Sequence, residues 1–112
     1  MRCSFTQHCT VEAYHYQRDR LRGKQEIKDL MDELVRRCSF NVMAQEWFGL
    51  QEGCFTGFYV LGESHLFVRN WCRQRLAIVS TMSCTSFDAQ AFSDCIFERL
   101  VPKVQIRYGS AP

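Results

Sequence analysis

The clearest pattern of apolar and polar positions lies between residues 24 and 38. In this segment the apolar side chains recur at intervals of three and four residues, which places them on one face of an α-helix. They are Ile27, Leu30, Met31, Leu34, Val35 and Cys38. The positions between them are mostly charged, as on a face exposed to water. The pattern therefore predicts an amphipathic helix over residues 24–38.

A second helix is predicted over residues 88–100. Phe92 and Ile96 lie one helical turn apart, and Ser86 is the predicted N-cap. Pro102 cannot continue a helix, so the helix is expected to end before it.

Six segments have the alternating, β-branched or aromatic composition of strands. They are residues 9–16, 40–48, 55–61, 66–71, 74–82 and 104–108. With the helices inserted, the order is β-α-β-β-β-β-α-β. This order predicts an α/β protein of the α+β type, a two-layer sandwich in which a mostly antiparallel sheet carries both helices on one face.

The other face of that sheet has no layer to cover it. The chain has 112 residues, the size of a single domain that is expected to span residues 1–112. Aromatic side chains make up 13% of the sequence. Self-association through the uncovered face or an edge strand is therefore expected.

Composition and charge exclude several classes of protein. A hydrophobic fraction of 46% excludes a disordered chain. No apolar run approaches the ~20 residues of a membrane span, and the N-terminus lacks a signal-peptide core, so a cytoplasmic protein is expected. The net charge of +2 does not indicate nucleic-acid binding. The basic run at Arg18, Arg20, Arg22 and Lys24 is interpreted as a solvated loop and helix start.

The seven cysteines are an odd number and contain no C-x-x-C pair. A zinc site or a redox dithiol therefore has no sequence support, and no metal ligands are predicted. Most of the cysteines are expected to be buried thiols rather than a disulfide framework. One or two of them are expected to have a chemical role.

Between residues 55 and 71 two apolar runs flank Gly62-Glu63-Ser64-His65, which predicts a hairpin with Gly62 at the bend. By strand alternation, Glu63 and His65 point to one face while Ser64 and Leu66 point to the other. His65 is therefore a poor base for Ser64, although a bulge at Gly62 would reverse this. No G-x-S-x-G motif supports a hydrolase. On spacing alone, the segment is a polar hairpin tip.

The same segment resembles the short prokaryotic form of S-adenosylmethionine decarboxylase, a pyruvoyl-dependent, self-cleaving family. The resemblance extends from Glu12 to Tyr108. The residues that carry it are Thr56-Gly57, Glu63-Ser64-His65-Leu66, Trp71 and Cys84, which lies twenty positions after Ser64. The fold that it implies agrees with the predicted element order.

The resemblance implies autocatalytic cleavage between Glu63 and Ser64, which turns Ser64 into a pyruvoyl group. That ketone forms a Schiff base with the substrate amine and accepts the electrons released with carbon dioxide. Cys84 is the implied proton donor. Glu12 and Glu63 are implied to face the cationic substrate, and Trp71 to lie near its adenine.

Four positions depart from the family pattern. The resemblance places a serine at Thr56, a histidine at Arg69, a glutamate that binds ribose at Arg73 and an aromatic residue at Leu50. In family dimers these four groups face the pyruvoyl group from the opposite protomer. Thr56 keeps a hydroxyl, whereas Arg69 cannot shuttle a proton near neutral pH. His15 and His65 are the candidates for a substitute.

Three functions are compatible with these residues. The first is decarboxylation of S-adenosylmethionine for polyamine (spermidine) biosynthesis. The second is the same pyruvoyl chemistry on another amino acid such as ornithine or arginine, since Arg73 replaces the glutamate that binds ribose. The third is a non-processing paralogue that binds and regulates an active decarboxylase. The assembly is accordingly a homodimer or a heterodimer with a paralogue.

Overall fold

The structure is a computed structural model that describes residues 6–49 and 54–109. Its elements follow the predicted order. The strands are β1 (Gln7–Tyr14), β2 (Ala44–Gly49), β3 (Phe55–Leu61), β4 (Ser64–Trp71), β5 (Leu76–Ser83) and β6 (Val104–Gly109), and the helices are α1 (Lys24–Cys38) and α2 (Ala89–Leu100). A short 3₁₀ turn, Arg18–Arg20, lies between β1 and α1. Within the described residues, no helix is long and apolar enough to cross a membrane.

The six strands form one sheet in the order β2-β3-β4-β5-β1-β6, and each neighbouring pair is antiparallel. Both helices pack on one face of this sheet and on each other. The predicted two-layer α+β sandwich is confirmed. Because both layers bury their apolar faces between them, the core lies between helices and sheet.

Helix α1 has the bounds that its periodicity predicts, and its buried residues belong to the apolar set. Helix α2 corrects one detail. Its N-cap is Asp88, whose carboxylate accepts hydrogen bonds from the backbone N–H groups of Gln90 and Ala91 at 3.0 and 3.1 Å. The prediction of Ser86 as the cap is wrong, because the helix begins one residue after Asp88 and the nearer side chain reaches the free N–H groups.

The hairpin between β3 and β4 is tighter than the apolar runs predict. Leu61 pairs directly with Ser64, so the connection has only two residues, Gly62 and Glu63. Gly62 has a φ of +70°, a conformation that glycine adopts without steric cost. Strand β4 starts at Ser64 and pairs without interruption, so the bulge considered at Gly62 is absent.

Strand alternation divides the sheet into two different faces. Ser64, Leu66, Val68 and Asn70 of β4 are buried on the helix-bearing face. The opposite, open face carries exposed apolar side chains near both edges, among them Phe48, Val104, Ile106 and Tyr108. This is the uncovered face that the sequence predicts.

Four strands begin away from their predicted positions. Strands β4 and β5 start at Ser64 and Leu76 instead of residues 66 and 74. Strand β1 starts at Gln7 instead of residue 9, and β2 starts at Ala44 instead of residue 40. In the second case the Phe40 backbone N–H bonds to the carbonyl of Val35 at the end of α1, and the Phe40 ring packs edge-on against Phe87. These contacts hold Phe40 in the helix layer and keep it out of the sheet.

Gly57 of β3 marks a close approach between the two layers. A Cβ at this position would lie 2.6 Å from the Trp47 ring and 2.7 Å from the sulfur of Met31. The absence of a side chain lets Trp47 cross over β3 and pack edge-on against Tyr59. Tyr59 in turn donates a hydrogen bond of 2.6 Å to Asp32 of α1.

Candidate active site

The Ser64 hydroxyl lies at the start of β4, beside the end of β5. Ser64 is only 8% exposed, and its Oγ accepts a hydrogen bond of 2.8 Å from the backbone N–H of Cys84. The structure thus brings together the two residues that the twenty-residue spacing singles out. An N–H directed at this oxygen stabilises negative charge on it, which favours attack by Oγ on a carbonyl carbon.

Buried polar side chains surround this pair, and the sequence reasoning missed them. Gln7 of β1, 2% exposed, pairs in register with Ser83. Its side-chain amide makes two hydrogen bonds to the backbone of Phe87. It donates to the carbonyl at 3.2 Å and accepts from the N–H at 3.1 Å. The Ser83 hydroxyl donates to the carbonyl of Thr85 at 2.7 Å. These bonds fix the segment that carries Cys84. One signal in the sequence could have identified them. Gln7 and Ser83 are polar residues at strand positions that alternation places on the buried face.

His65 faces away from Ser64, as alternation predicts. Its ring stacks on Phe58 on the open face, with 5.7 Å between ring centroids. Burial, and to a lesser degree the nearby His8, lowers the pKa of His65. His15 follows β1 at the opposite end of the sheet from Ser64. Within one protomer, neither predicted substitute histidine approaches the serine.

The cysteines divide into two groups. Five of those in the described part of the chain are outside any disulfide, namely Cys9, Cys38, Cys54, Cys72 and Cys95. Burial is the main cause that raises the pKa of Cys9 and Cys95 and raises that of Cys38 to about 12, so these three thiols are poor nucleophiles. Cys84 is disulfide-bonded in the structure. The residue therefore carries a thiol only after reduction of that disulfide.

Thr56 and Arg69 are direct register partners on β3 and β4. They line a cavity of about 470 Å³ on the open face together with Phe48, Phe58 and Phe67. The Arg69 guanidinium lies 4.7 Å from the centroid of the Trp71 ring, a cation–π contact. Two of the altered family positions therefore line one aromatic cavity, in which Arg69 supplies the guanidinium among the described lining residues.

Glu12 is in the same row of the sheet as Arg69, since both pair with Ile78 from opposite sides. Its carboxylate accepts hydrogen bonds from Tyr14 at 2.6 Å and Tyr108 at 3.0 Å. Arg69 is five residues along β4 from Ser64, about 17 Å at strand spacing. Within one protomer the structure does not bring Glu12, Thr56 or Arg69 to the serine.

The other site residues predicted from the sequence are Glu63, Arg73 and Leu50. Glu63 is exposed in the hairpin turn next to the predicted cleavage bond. Arg73 follows β4 and lines a different cavity from Arg69. Leu50 lies outside the described residues. Within residues 6–49 and 54–109, no three His, Cys, Asp or Glu side chains are grouped to hold a metal ion.

Comparisons with known proteins identify the family and the fold of this chain. The family model described as S-adenosylmethionine decarboxylase matches residues 7–109. The S-adenosylmethionine decarboxylase proenzyme of Aquifex aeolicus (strain VF5) is 25% identical over 97 residues, which cover 86% of this chain and 72% of that protein. The crystal structure of the adenosylmethionine decarboxylase from Aquifex aeolicus VF5 has the same fold, with a TM-score of 0.83 at 20% identity over 97% of this chain and 91% of that one. Because the family model spans nearly the whole chain, the protein belongs to the S-adenosylmethionine decarboxylase family.

Proposed function

We propose that this protein is a pyruvoyl-dependent decarboxylase of S-adenosylmethionine that matures by cleaving itself between Glu63 and Ser64. The observation that carries the proposal is the buried Ser64 hydroxyl at the start of β4, hydrogen-bonded to the backbone N–H of Cys84. The name proenzyme of the Aquifex relative supports a maturation step. The product would supply aminopropyl groups for spermidine synthesis.

Maturation begins at the hairpin turn. Oγ of Ser64 attacks the carbonyl carbon of Glu63, and the peptide C–N bond breaks, which leaves an ester and a free amine. Loss of the Cα proton of residue 64 then breaks the Cβ–Oγ bond, and Glu63 leaves as a carboxylate. Water then hydrolyses the resulting enamine. Its nitrogen leaves as ammonia, and a ketone remains at the new N-terminus. The Cys84 N–H stabilises Oγ in the first step.

The pyruvoyl group supplies an electron sink for decarboxylation. Ser64, its source, lies at the start of β4, and Cys84 directly follows the end of β5. The thiol of Cys84 therefore belongs to a residue already in contact with Ser64. In its reduced form this thiol is the proton donor to the substrate carbon after carbon dioxide leaves. Gln7 holds the backbone that carries Cys84 through its two bonds to Phe87.

A second protomer completes the site in this proposal. Thr56, Arg69 and Trp71 lie far along β3 and β4 from Ser64 in their own chain. The open face carries apolar side chains that one protomer leaves exposed, including Phe48 and Ile106. Pairing two open faces would bury them. Because the Ser64 side chain points to the helix-bearing face, the proposal requires the aromatic cavity of one chain to reach the Ser64 end of the other chain's sheet.

The first experiment is the intact mass of the purified protein after prolonged incubation with a reductant. We expect fragments of residues 1–63 and 64–112, the second with a ketone at its N-terminus that reacts with hydroxylamine. Ser64→Ala should remain uncleaved. Ser80→Ala is the matched control, because Ser80 lies on the open face of β5 and bonds to Thr10. A wild-type chain that keeps its full mass would overturn the proposal for the isolated protein.

Arg73 favours a second candidate, decarboxylation of another amino acid such as ornithine or arginine. It stands where the family resemblance places the glutamate that binds ribose, and ornithine and arginine have no ribose. Release of carbon dioxide from each amino acid by the cleaved protein decides between the two. A cleaved protein inactive on all of them, or an uncleaved one that changes the activity of a co-purified paralogue, would favour the regulatory alternative.

A further inference from the structure

Two cysteines outside any disulfide lie next to each other where β3 begins and β4 ends. The backbone N–H of Cys72 donates a hydrogen bond of 3.2 Å to the sulfur of Cys54. The register of the hairpin agrees with this contact, because Thr56 pairs with Arg69, and two more steps place Cys54 opposite Trp71. Cys72 is then the diagonal neighbour of Cys54. At strand spacing their Cα atoms are about 6 Å apart, within the range of about 4.4–6.8 Å that disulfides span.

Hydrogen-bond donors surround both sulfurs. The side-chain amide of Asn70 donates a bond of 3.4 Å to the sulfur of Cys72, and its oxygen accepts a bond of 2.6 Å from the Tyr16 hydroxyl. Burial is the main cause that raises the pKa of Tyr16 to about 12, and Cys72 and Cys54 raise it further, so both cysteines lie near this hydroxyl. Each sulfur thus accepts at least one hydrogen bond, which stabilises negative charge on it.

Cys54 and Cys72 are more accessible than the three cysteines of the core. Both are half-buried. Cys9, Cys38 and Cys95 belong to the buried core, and burial is the main cause that raises their pKa values. Thiol–disulfide exchange requires a thiolate that the reagent can reach. Cys54 and Cys72 meet this requirement, and the three core cysteines do not.

We propose that Cys54 and Cys72 are a reversible redox pair, which a low-molecular-weight disulfide such as glutathione disulfide oxidises to a protein disulfide. The Cys54 thiolate attacks one sulfur of the reagent, whose S–S bond breaks, and one glutathione leaves. The Cys72 thiolate then attacks the sulfur of Cys54 and displaces the second glutathione. Two electrons pass from the cysteine pair to the reagent, and the two thiol protons end on the released glutathiones. Excess reduced glutathione reverses both steps.

The disulfide would fasten the β3–β4 hairpin at the end opposite its turn. One end of the hairpin is already closed by the two residues Gly62 and Glu63. A bond between Cys54 and Cys72 would close the other end, and the sulfur of Cys72 would leave its hydrogen bond with Asn70. Because a reducing compartment makes such disulfides transient, the pair would respond to oxidation instead of holding the fold permanently. The inference does not rest on the proposed decarboxylase activity.

Incubation of the full chain with about 5 mM glutathione disulfide, followed by peptide mass spectrometry without reduction, tests the proposal. We expect a linked Cys54–Cys72 peptide that disappears when dithiothreitol is added. In Cys72→Ser this linkage should be lost and replaced by one glutathione on Cys54, because the second thiol is missing. Cys54→Ser should give the corresponding adduct on Cys72. Both residues are partly exposed, so the variants are expected to fold. Cys38→Ala, at a core thiol, is the matched control and should keep the linkage.

Alkylation of the folded protein with iodoacetamide gives a second readout. Oxidation should lower the labelling of Cys54 and Cys72 at least about tenfold and leave that of Cys38 and Cys95 unchanged. If Cys54 and Cys72 do not become linked to each other in the folded chain, or become linked only in denaturant, the proposal is overturned. Equal linking of the core cysteines would indicate unselective oxidation and would overturn it as well.

Discussion

The backbone N–H of Cys84 donates a hydrogen bond of 2.8 Å to Oγ of Ser64. The two residues are twenty positions apart, and they meet because β4 begins beside the point where its antiparallel neighbour β5 ends. The contact uses the backbone of Cys84 and not its thiol. In the proposed reaction the two groups have different tasks, since the N–H assists cleavage and the thiol donates a proton during decarboxylation.

Replacing Cys84 with alanine separates these tasks. Cys84→Ala keeps the backbone N–H, so self-cleavage should continue at a similar rate. The kcat for decarboxylation should fall about 100-fold, because the proton donor is removed. Wild-type decarboxylation should also require a reductant, since Cys84 is disulfide-bonded in the structure. Cys54→Ala, at a free and partly exposed thiol, is the control. Loss of cleavage in Cys84→Ala would contradict the backbone role.

Restoring the histidine of the family pattern should speed maturation. In Arg69→His an imidazole can shuttle protons near neutral pH, so the cleavage rate should rise at least about tenfold. The rate should depend on protein concentration, because position 69 is about 17 Å from Ser64 in its own chain. Arg107→His, on the edge strand β6 where the arginine bonds to Gln90 of α2, should leave the rate unchanged. A concentration-independent gain would argue against a contribution from a second protomer.

Filling the space at Gly57 should destabilise the fold. A Cβ there would meet the Trp47 ring at 2.6 Å, and an indole ring in a packed layer cannot move aside cheaply. Gly57→Ala should lower the free energy of unfolding by about 1–3 kcal/mol, measured by chemical denaturation. Gly23→Ala is the control, because its nearest neighbouring atom would be 3.8 Å away. An unchanged midpoint for Gly57→Ala would show that the two layers separate easily at this point.

Removing the Gln7 amide should loosen the segment that carries Cys84. Gln7→Ala leaves the backbone N–H and carbonyl of Phe87 without their partner, which should lower stability by about 1–3 kcal/mol. Hydrogen exchange at the Phe87 amide should accelerate, and self-cleavage should slow. Gln25→Ala, which removes an exposed bond to Asp29 on α1, should do neither. If exchange at Phe87 stays slow in Gln7→Ala, another contact holds the segment.

Stability should depend on the protonation of His65. Burial lowers its pKa below the ordinary value of 6.5, so the unfolded chain takes up a proton at a higher pH than the folded chain. Stability should therefore fall as the pH drops through 6.5 towards the folded-state pKa, and it should be level above 6.5. Denaturation midpoints between about pH 5 and pH 8 give the slope, which His65→Phe should reduce. An equal slope in the variant would assign it to other groups.

The sequence by itself determined the local structure. Periodicity predicted both bounds of α1, and alternation placed Ser64 and His65 on opposite faces of β4, because these features depend only on the geometry of one helix or one strand. The resemblance of Glu63-Ser64-His65 and Cys84 to a known family pattern also indicated the family, which the family model confirms. Each of these inferences depends either on residues that are close in sequence or on comparison with a known motif.

Only the tertiary structure decided which distant residues meet. Gln7 and Phe87 are eighty positions apart, and their contact depends on the pairing of β1 with β5. The separation of Arg69 from Arg73 likewise depends on where the turn after β4 leads the chain, and no local pattern records this. Contacts between elements depend on strand order and on the packing of the two layers, and the whole chain determines both. They could therefore not be predicted from single segments.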